Sequence, residues 1–314
     1  MNSHPSSTPD TEPGPRTGVQ TGLKTGLQTG LQTGARLSKD PRVAGLWRLM
    51  SAALGVLRAP AGAWGRIALA LSFGAVTHLT FALAVLAMIT AMFFGMSESL
   101  GSVPQPWAWV VNLALIVQFP LAHSLLLTRR GGAWLARLVP GGHGATLGTT
   151  TYALIASLQL LALFALWTPS GIVWWRAEGA VFALICTAYG LSWLLLIKAS
   201  FDAGAEVQSG ALGWMSLMAG IRPRFPDMPV LGLFRVIRQP IYVAFALTLW
   251  TVPVWTPDQL LLALCYTAYC LAAPRLKERR FAGRYGPRFD RYRARVPYVI
   301  PRIGGRNAQR SDDL

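Results

Sequence analysis

The polar residues of this 314-residue chain gather in two blocks, 201–240 and 275–302, on either side of a short apolar hairpin at 241–273. The first block ends in Arg235, Arg238, Gln239 and Pro240 and leads into Tyr242. The second opens with Lys277, Glu278 and Arg279 and continues through Tyr285, Phe289 and Tyr292. A hairpin returns its ends to one side, so the two blocks are neighbours in space. Together they close a pocket with basic groups towards water and an apolar floor. Such a pocket suits a soluble anionic or zwitterionic cofactor that meets a lipophilic substrate. Other chemistries lack their residues. Cys186, Cys265 and Cys270 all lie in apolar segments, with no CxxC pair and no Cys/His cluster, so neither a disulfide framework nor a structural metal site is expected. No phosphate-binding glycine loop, HExxH or GxSxG motif occurs.

The elements that must position these residues are apolar. Hydrophobic residues make up 53% of the chain and charged ones 13%, against roughly 25% charged in soluble domains. Six apolar stretches follow one another: 67–96, 107–127, 147–167, 180–197 and the shorter 241–255 and 260–273. Buried helices of a soluble bundle carry polar faces, and these show almost none. The fold class expected is all-α: a polytopic membrane protein of about six transmembrane helices, the last two a short hairpin with Thr256-Pro257-Asp258 as turn and helix start.

The net charge is +16, and its placement alternates. Arg42, Arg48, Arg58 and Arg66 precede the first span, and the next loop has no Lys or Arg. Arg129, Arg130 and Arg137 follow the second span, and Arg176 stands alone after the third. Arg222, Arg224, Arg235 and Arg238 follow the fourth, and twelve Lys and Arg lie from Arg275 onward. By the positive-inside rule both termini and both polar blocks are cytoplasmic, in a bacterial-type inner membrane. The alternation accounts for the charge without nucleic acid as a partner; membrane lipids are the expected surroundings.

Residues 1–40 are polar, with a TGLQ-like repeat over 17–34. A glycine in every fourth position disfavours a helix, and one Leu or Val per unit builds no core, so a disordered tail is expected. No apolar run follows the start directly, as a secretory signal would require. Residues 41–66 read as a basic segment along the membrane surface, 67–303 as the membrane domain, and 304–314 as a polar tail.

Within that domain the segment Phe234-Arg235-Val236-Ile237-Arg238-Gln239-Pro240-Ile241-Tyr242 resembles the R-x-x-R-H-P-x-Y segment of the isoprenylcysteine carboxyl methyltransferase superfamily. Leu276-Lys277-Glu278-Arg279 resembles its E-E-R segment, and Tyr285-Gly286, Phe289, Tyr292 and Val296-Pro297 match its C-terminal aromatic spacing. Upstream, Phe201-Asp202, Gly204, Leu212-Gly213, Asn112, His123-Ser124 and Arg129 resemble segments of the bacterial NnrU-like and methanethiol S-methyltransferase branch. The resemblance covers residues 107–303. It implies an integral-membrane methyltransferase that uses S-adenosylmethionine and acts on a small thiol or lipophilic acceptor. Arg238, Gln239, Pro240, Tyr242, Glu278 and Tyr292 fall at its cofactor positions. Two of this chain's residues depart from the pattern: Gln239 stands where the family has His, and Lys277 where it has the first Glu. Gln still donates and accepts hydrogen bonds but carries no charge. Lys277 reverses a local charge beside a site for a sulfonium.

Each residue also has a plainer reading. Arg238 clamps the cofactor's carboxylate, or is a positive-inside anchor. Glu278 binds a ribose hydroxyl or an amine, or is one acid among arginines on a solvated helix. Tyr242 and Tyr292 pack on the cofactor or sit in an interfacial belt. His123, near the cytoplasmic end of a span, is a substrate-side group or a neutral histidine bonded to backbone. Asp202 is expected to pair with Lys198 one turn back, and His78 in the first span has no assigned role. A thiol acceptor must lose its proton to react, and no residue stands out as a dedicated base. The rival to catalysis is a silent methyltransferase fold with a binding or assembly role, favoured by Gln239 and Lys277.

Overall fold

The structure, a computed structural model, describes Met50, residues 53–57 and residues 59–302. The repeat tail, part of the 41–66 segment and the 304–314 tail lie outside the described residues. Long helices are α1 (Trp64–Phe93), α2 (Trp107–Leu126), α4 (Gly144–Ala165), α5 (Gly179–Asp202) and α9 (Pro257–Tyr285). Shorter ones are α3 (Arg129–Arg137), α6 (Ala205–Gln208), α7 (Ala211–Ala219), α8 (Pro240–Trp250) and α10 (Pro287–Arg295). The two strands among the described residues, β1 (Trp175–Arg176) and β2 (Val254–Trp255), pair antiparallel at the end of the molecule opposite the two polar blocks.

Five helices are long and apolar enough to cross a membrane, yet only 11% to 39% of the most apolar stretch of each is buried. Leu71, Leu79, Leu83 and Leu86 on α1, Val110 and Leu113 on α2, and Leu184, Leu191 and Leu194 on α5 face outward. So much exposed aliphatic surface fits lipid and not water. The chain is a multi-pass helical membrane protein.

α1 packs along α4, and α5, α8 and α9 pack together beside them. The main core, with Met92, Leu163, Trp167, Leu249, Leu262 and Tyr266, joins these groups. Lipid supplies no hydrophobic drive between helices, so polar side chains help to join them. Gln118 and Gln159 bond reciprocally between α2 and α4, and the Tyr266 hydroxyl donates to Ile116 O.

Three features depart from the sequence expectation. α7 lies within the block read as polar, but it is apolar and buried against α1 and α4. Gly74 makes room for its Trp214 ring, and the Trp214 indole N–H donates to His78 Nε2 at 3.0 Å, which gives that histidine a structural task. Second, α8 stops at Trp250 instead of spanning to 255, because Pro253 removes a helical donor and holds Val252 extended. The freed backbone is buried and pairs with β1, including Ala177 N–H to Pro253 O, as non-helical chain at membrane depth requires. Third, α9 starts as expected, with the Thr256 hydroxyl capping Gln259 N–H and Pro257 in the first turn, but it runs unbroken past 273 to Tyr285. Its 29 residues span about 43 Å at 1.5 Å each, beyond a hydrocarbon core of about 30 Å. The end of α9 therefore projects from the membrane and carries Lys277, Glu278, Arg279 and Arg280.

Candidate active site

The loop before α8 is held from beneath. Asp202, 2% exposed at the end of α5, binds Lys198 and accepts from Leu233 N–H at 2.9 Å. Gly232, at φ +61, passes so close to that carboxylate that a β-carbon would collide with it. Only glycine suits both the left-handed backbone and the approach. This anchor starts the 3-10 turn Gly232–Arg235, which presents Phe234 and then Arg238 and Gln239. The C-terminal segment closes over the loop through Arg238 N–H to Pro297 O (2.9 Å) and Gln239 N–H to Tyr298 O (3.2 Å).

Glu278 is the centre of the polar cluster. It accepts from Arg238 Nε at 2.8 Å, from Arg238 Nη2 at 3.4 Å and from Gln239 Nε2 at 2.8 Å. The ion pair is largely enclosed, with 11% of the Arg238 and 15% of the Glu278 side chain exposed. Arg238 also donates to the carbonyls of Arg293 and Val296 at the end of α10, where a cation complements the helix dipole. Gln239, 1% exposed, has its amide fixed by what flanks it: the NH₂ faces the Glu278 carboxylate and the carbonyl accepts from Lys277 Nζ at 3.4 Å. Pro240 opens α8 at its first turn, where a missing N–H costs nothing.

Aromatic rings complete the site. The Lys277 ammonium lies 5.4 Å from the Phe234 ring centre, 5.5 Å from Phe281 and 5.8 Å from Tyr242. Tyr292 is 3% exposed and donates to Phe234 O at 2.7 Å; burial pushes its phenol up, so it remains a neutral donor. Arg238, Gln239, Glu278, Lys277, Phe281 and Tyr292 share the lining of one narrow recess, nearly filled by these side chains. The structure thus draws Arg238, Gln239, Glu278 and Tyr292 of the sequence candidates to one recess, with Pro240 at its edge and Tyr242 reached through Lys277.

His123 stands apart. On α2, its Nδ1 lies 2.8 Å from the Tyr152 hydroxyl, and its ring packs on Phe119. Its Nδ1 partner is that side chain and not a backbone group. Arg280 is within electrostatic reach of His123, Tyr152, Tyr242 and Tyr269, so these groups form a second polar cluster, whose Tyr242 ring lies 5.8 Å from the Lys277 ammonium. Sequence reading missed Phe234, Phe281, Tyr152 and Tyr269. Phe281, three and four residues beyond Glu278 and Lys277, would follow from helical spacing had α9 been read through Pro274. Tyr152 carries no local signal. Among the described residues no three His, Cys, Asp or Glu side chains come together as metal ligands.

No family model matches the chain, and no solved structure matches it. Curated proteins do. Methanethiol S-methyltransferase 2 of Bradyrhizobium diazoefficiens is 31% identical over 211 residues, which is 66% of this chain and 77% of that protein. Methanethiol S-methyltransferase of Crocosphaera subtropica is 29% identical over 199 residues, 63% of this chain and 76% of that protein. Nurim of Rattus norvegicus is 31% identical over 171 residues, 52% of this chain and 63% of that protein. With a relative at this identity over most of both chains, and the family's motif residues converging on one recess, the chain belongs to the isoprenylcysteine carboxyl methyltransferase superfamily, on its methanethiol S-methyltransferase branch.

Proposed function

We propose that the protein is a membrane methyltransferase that uses S-adenosylmethionine as donor and a small thiol as acceptor, in a bacterial-type inner membrane with both termini cytoplasmic. The observation that carries the reading is the recess itself: an acid, an amide, a guanidinium and a set of aromatic rings gathered where α9 leaves the apolar layer. The names of the relatives support the thiol and the transfer.

The residues present fit S-adenosylmethionine in kind. Three aromatic rings already surround a cation, and a sulfonium is a cation of that class. Glu278 would accept from ribose hydroxyls or the amine. Arg238 would face the carboxylate, and Gln239, able to donate and accept, would bridge them. Tyr242, Pro240 and Tyr292 would shape the walls. Bound there, the cofactor supplies a methyl group on a positively charged sulfur, already activated for in-line displacement. What the chain must add is orientation, exclusion of water and a place for the thiol's proton.

The second cluster suits the acceptor side. In the tautomer whose Nδ1–H donates to the Tyr152 hydroxyl, His123 Nε2 would be left with a lone pair to accept a hydrogen bond from a thiol, whose thiolate is the reactive form. The cluster draws its residues from α2, α4, α8 and α9, the apolar helices beside the recess.

One observation favours the silent alternative. The Lys277 ammonium occupies the ring cage, and the free volume left in the recess, about 10 Å³, is roughly that of one water and far below the roughly 300–1,000 Å³ of small-molecule sites. Binding of S-adenosylmethionine to the detergent-purified protein, beside a Gln239→His variant, separates the readings. Saturable binding by the native protein supports the enzyme. Binding only after Gln239→His supports a scaffold that has lost its cofactor, and binding by neither refutes the proposed cofactor site.

A further inference from the structure

Resting on the proposed cofactor site, we infer that Lys277 is an internal competitor for its cation seat: the ammonium fills the aromatic cage that a sulfonium would take, and the ligand binds by displacing it. The cage has the composition of a site for organic cations, three ring faces within 6 Å of one positive charge. Its occupant here belongs to the chain itself.

The occupant is held loosely. Among the described residues Lys277 makes no ion pair, since the neighbouring carboxylate of Glu278 is taken by Arg238 and Gln239. Its hydrogen bond to Gln239 Oε1 is long, at 3.4 Å. An ammonium is strongly hydrated, so one drawn among rings without a counter-ion regains solvation when it leaves. The route out is short. Leu276, Arg279 and Arg280 around it on α9 are exposed, and the four-carbon stem swings without moving the helix. Displacement also enlarges the recess, because the side chain is part of its lining. Gln239 takes part as well. Its carbonyl is the acceptor that steadies Lys277. The two departures from the family pattern, Gln239 and Lys277, are thus direct partners.

The inference separates two ligands that differ in charge at one atom. S-adenosylmethionine carries the sulfonium; S-adenosylhomocysteine has a neutral thioether in its place. Affinities of both are measured by calorimetry on the full-length protein in detergent, for the native chain, Lys277→Met and Lys277→Arg, with a thermal melt of each to establish folding. Lys277→Met should tighten S-adenosylmethionine about tenfold or more and S-adenosylhomocysteine much less. Lys277→Arg, which keeps the charge, should stay within about threefold of native for both. In parallel, labelling of Lys277 by a water-soluble acylating reagent should rise when S-adenosylmethionine is added. If the ratio of the two affinities is the same in native and Lys277→Met protein, the competitor is refuted while the cofactor site stands. If Lys277 labelling falls on ligand addition, the displacement is refuted. If no folded variant binds either ligand, the cofactor reading falls and the inference with it.

Discussion

Glu278 shows what a single residue does in this site. Its carboxylate is shared between a guanidinium and an amide, and the guanidinium in turn holds the last carbonyls of α10. Removing one partner of an enclosed pair leaves the other charge uncompensated, at about 3–5 kcal/mol. Arg238→Ala also strands two carbonyls, so it should destabilise more than Glu278→Gln, which keeps its amide and carbonyl in place. The double change should cost less than the sum of the two. Thermal melts of the three variants in one detergent check the order, and additive effects would contradict the coupling. Sequence reading placed Arg238 and Glu278 near each other through the hairpin, and left open whether Glu278 was one acid among arginines on a solvated helix. With 15% of its side chain exposed and Arg238 paired to it, Glu278 is not on a solvated face. Lys277 was legible as a reversed charge. That it points among rings was not legible, because the rings come from two other segments, at Phe234 and Tyr242, as well as from its own helix.

At the scale of elements, the loop before α8 depends on one glycine. Gly232→Ala forces a side chain into the left-handed region, at roughly 1–2 kcal/mol, and pushes it into Asp202. A loss of at least about 2 kcal/mol is expected, with weaker ligand binding because Phe234, Arg238 and Gln239 shift. Gly283→Ala, inside α9 with open space where the β-carbon would lie, serves as the control and should stabilise by up to about 1 kcal/mol. Equal effects at the two positions would contradict the anchor. The long spans were legible from uninterrupted apolar runs, within a few residues at each end. Two elements were not. Pro274 and the charges after it imitate the end of a helix, yet α9 continues through the proline to Tyr285, as helices of membrane proteins tolerate. α7 is nine residues of apolar sequence inside a loop counted as polar, and only packing on α1 and α4 shows that it is core.

Among the described residues six apolar helices run between the two ends of the molecule, five long and one short. An even number returns the chain to its starting side, which places α10 on the face where α1 begins. The proposed topology has that face cytoplasmic, by the charge alternation. Reporter fusions at the C-terminus and in the 140–142 turn should report cytoplasm, and fusions in the loops at 97–106 and 170–174 the opposite side. A C-terminal fusion on the far side would remove the proposed site from its cofactor supply. Topology of this kind is written in composition and loop charge. The contact of His123 with Tyr152 is not, since it joins α2 to α4 across 29 positions and Tyr152 carries no local mark.

The most direct test of the account is methyl transfer itself: purified protein in detergent or liposomes, S-adenosylmethionine with an isotopically labelled methyl group, methanethiol as acceptor, and the volatile thioether as readout. The account predicts labelled dimethyl sulfide, strongly reduced in Glu278→Gln and in His123→Ala, both still folded. Tight cofactor binding with no labelled thioether from any small thiol would contradict it and leave a methyltransferase fold that binds without catalysing.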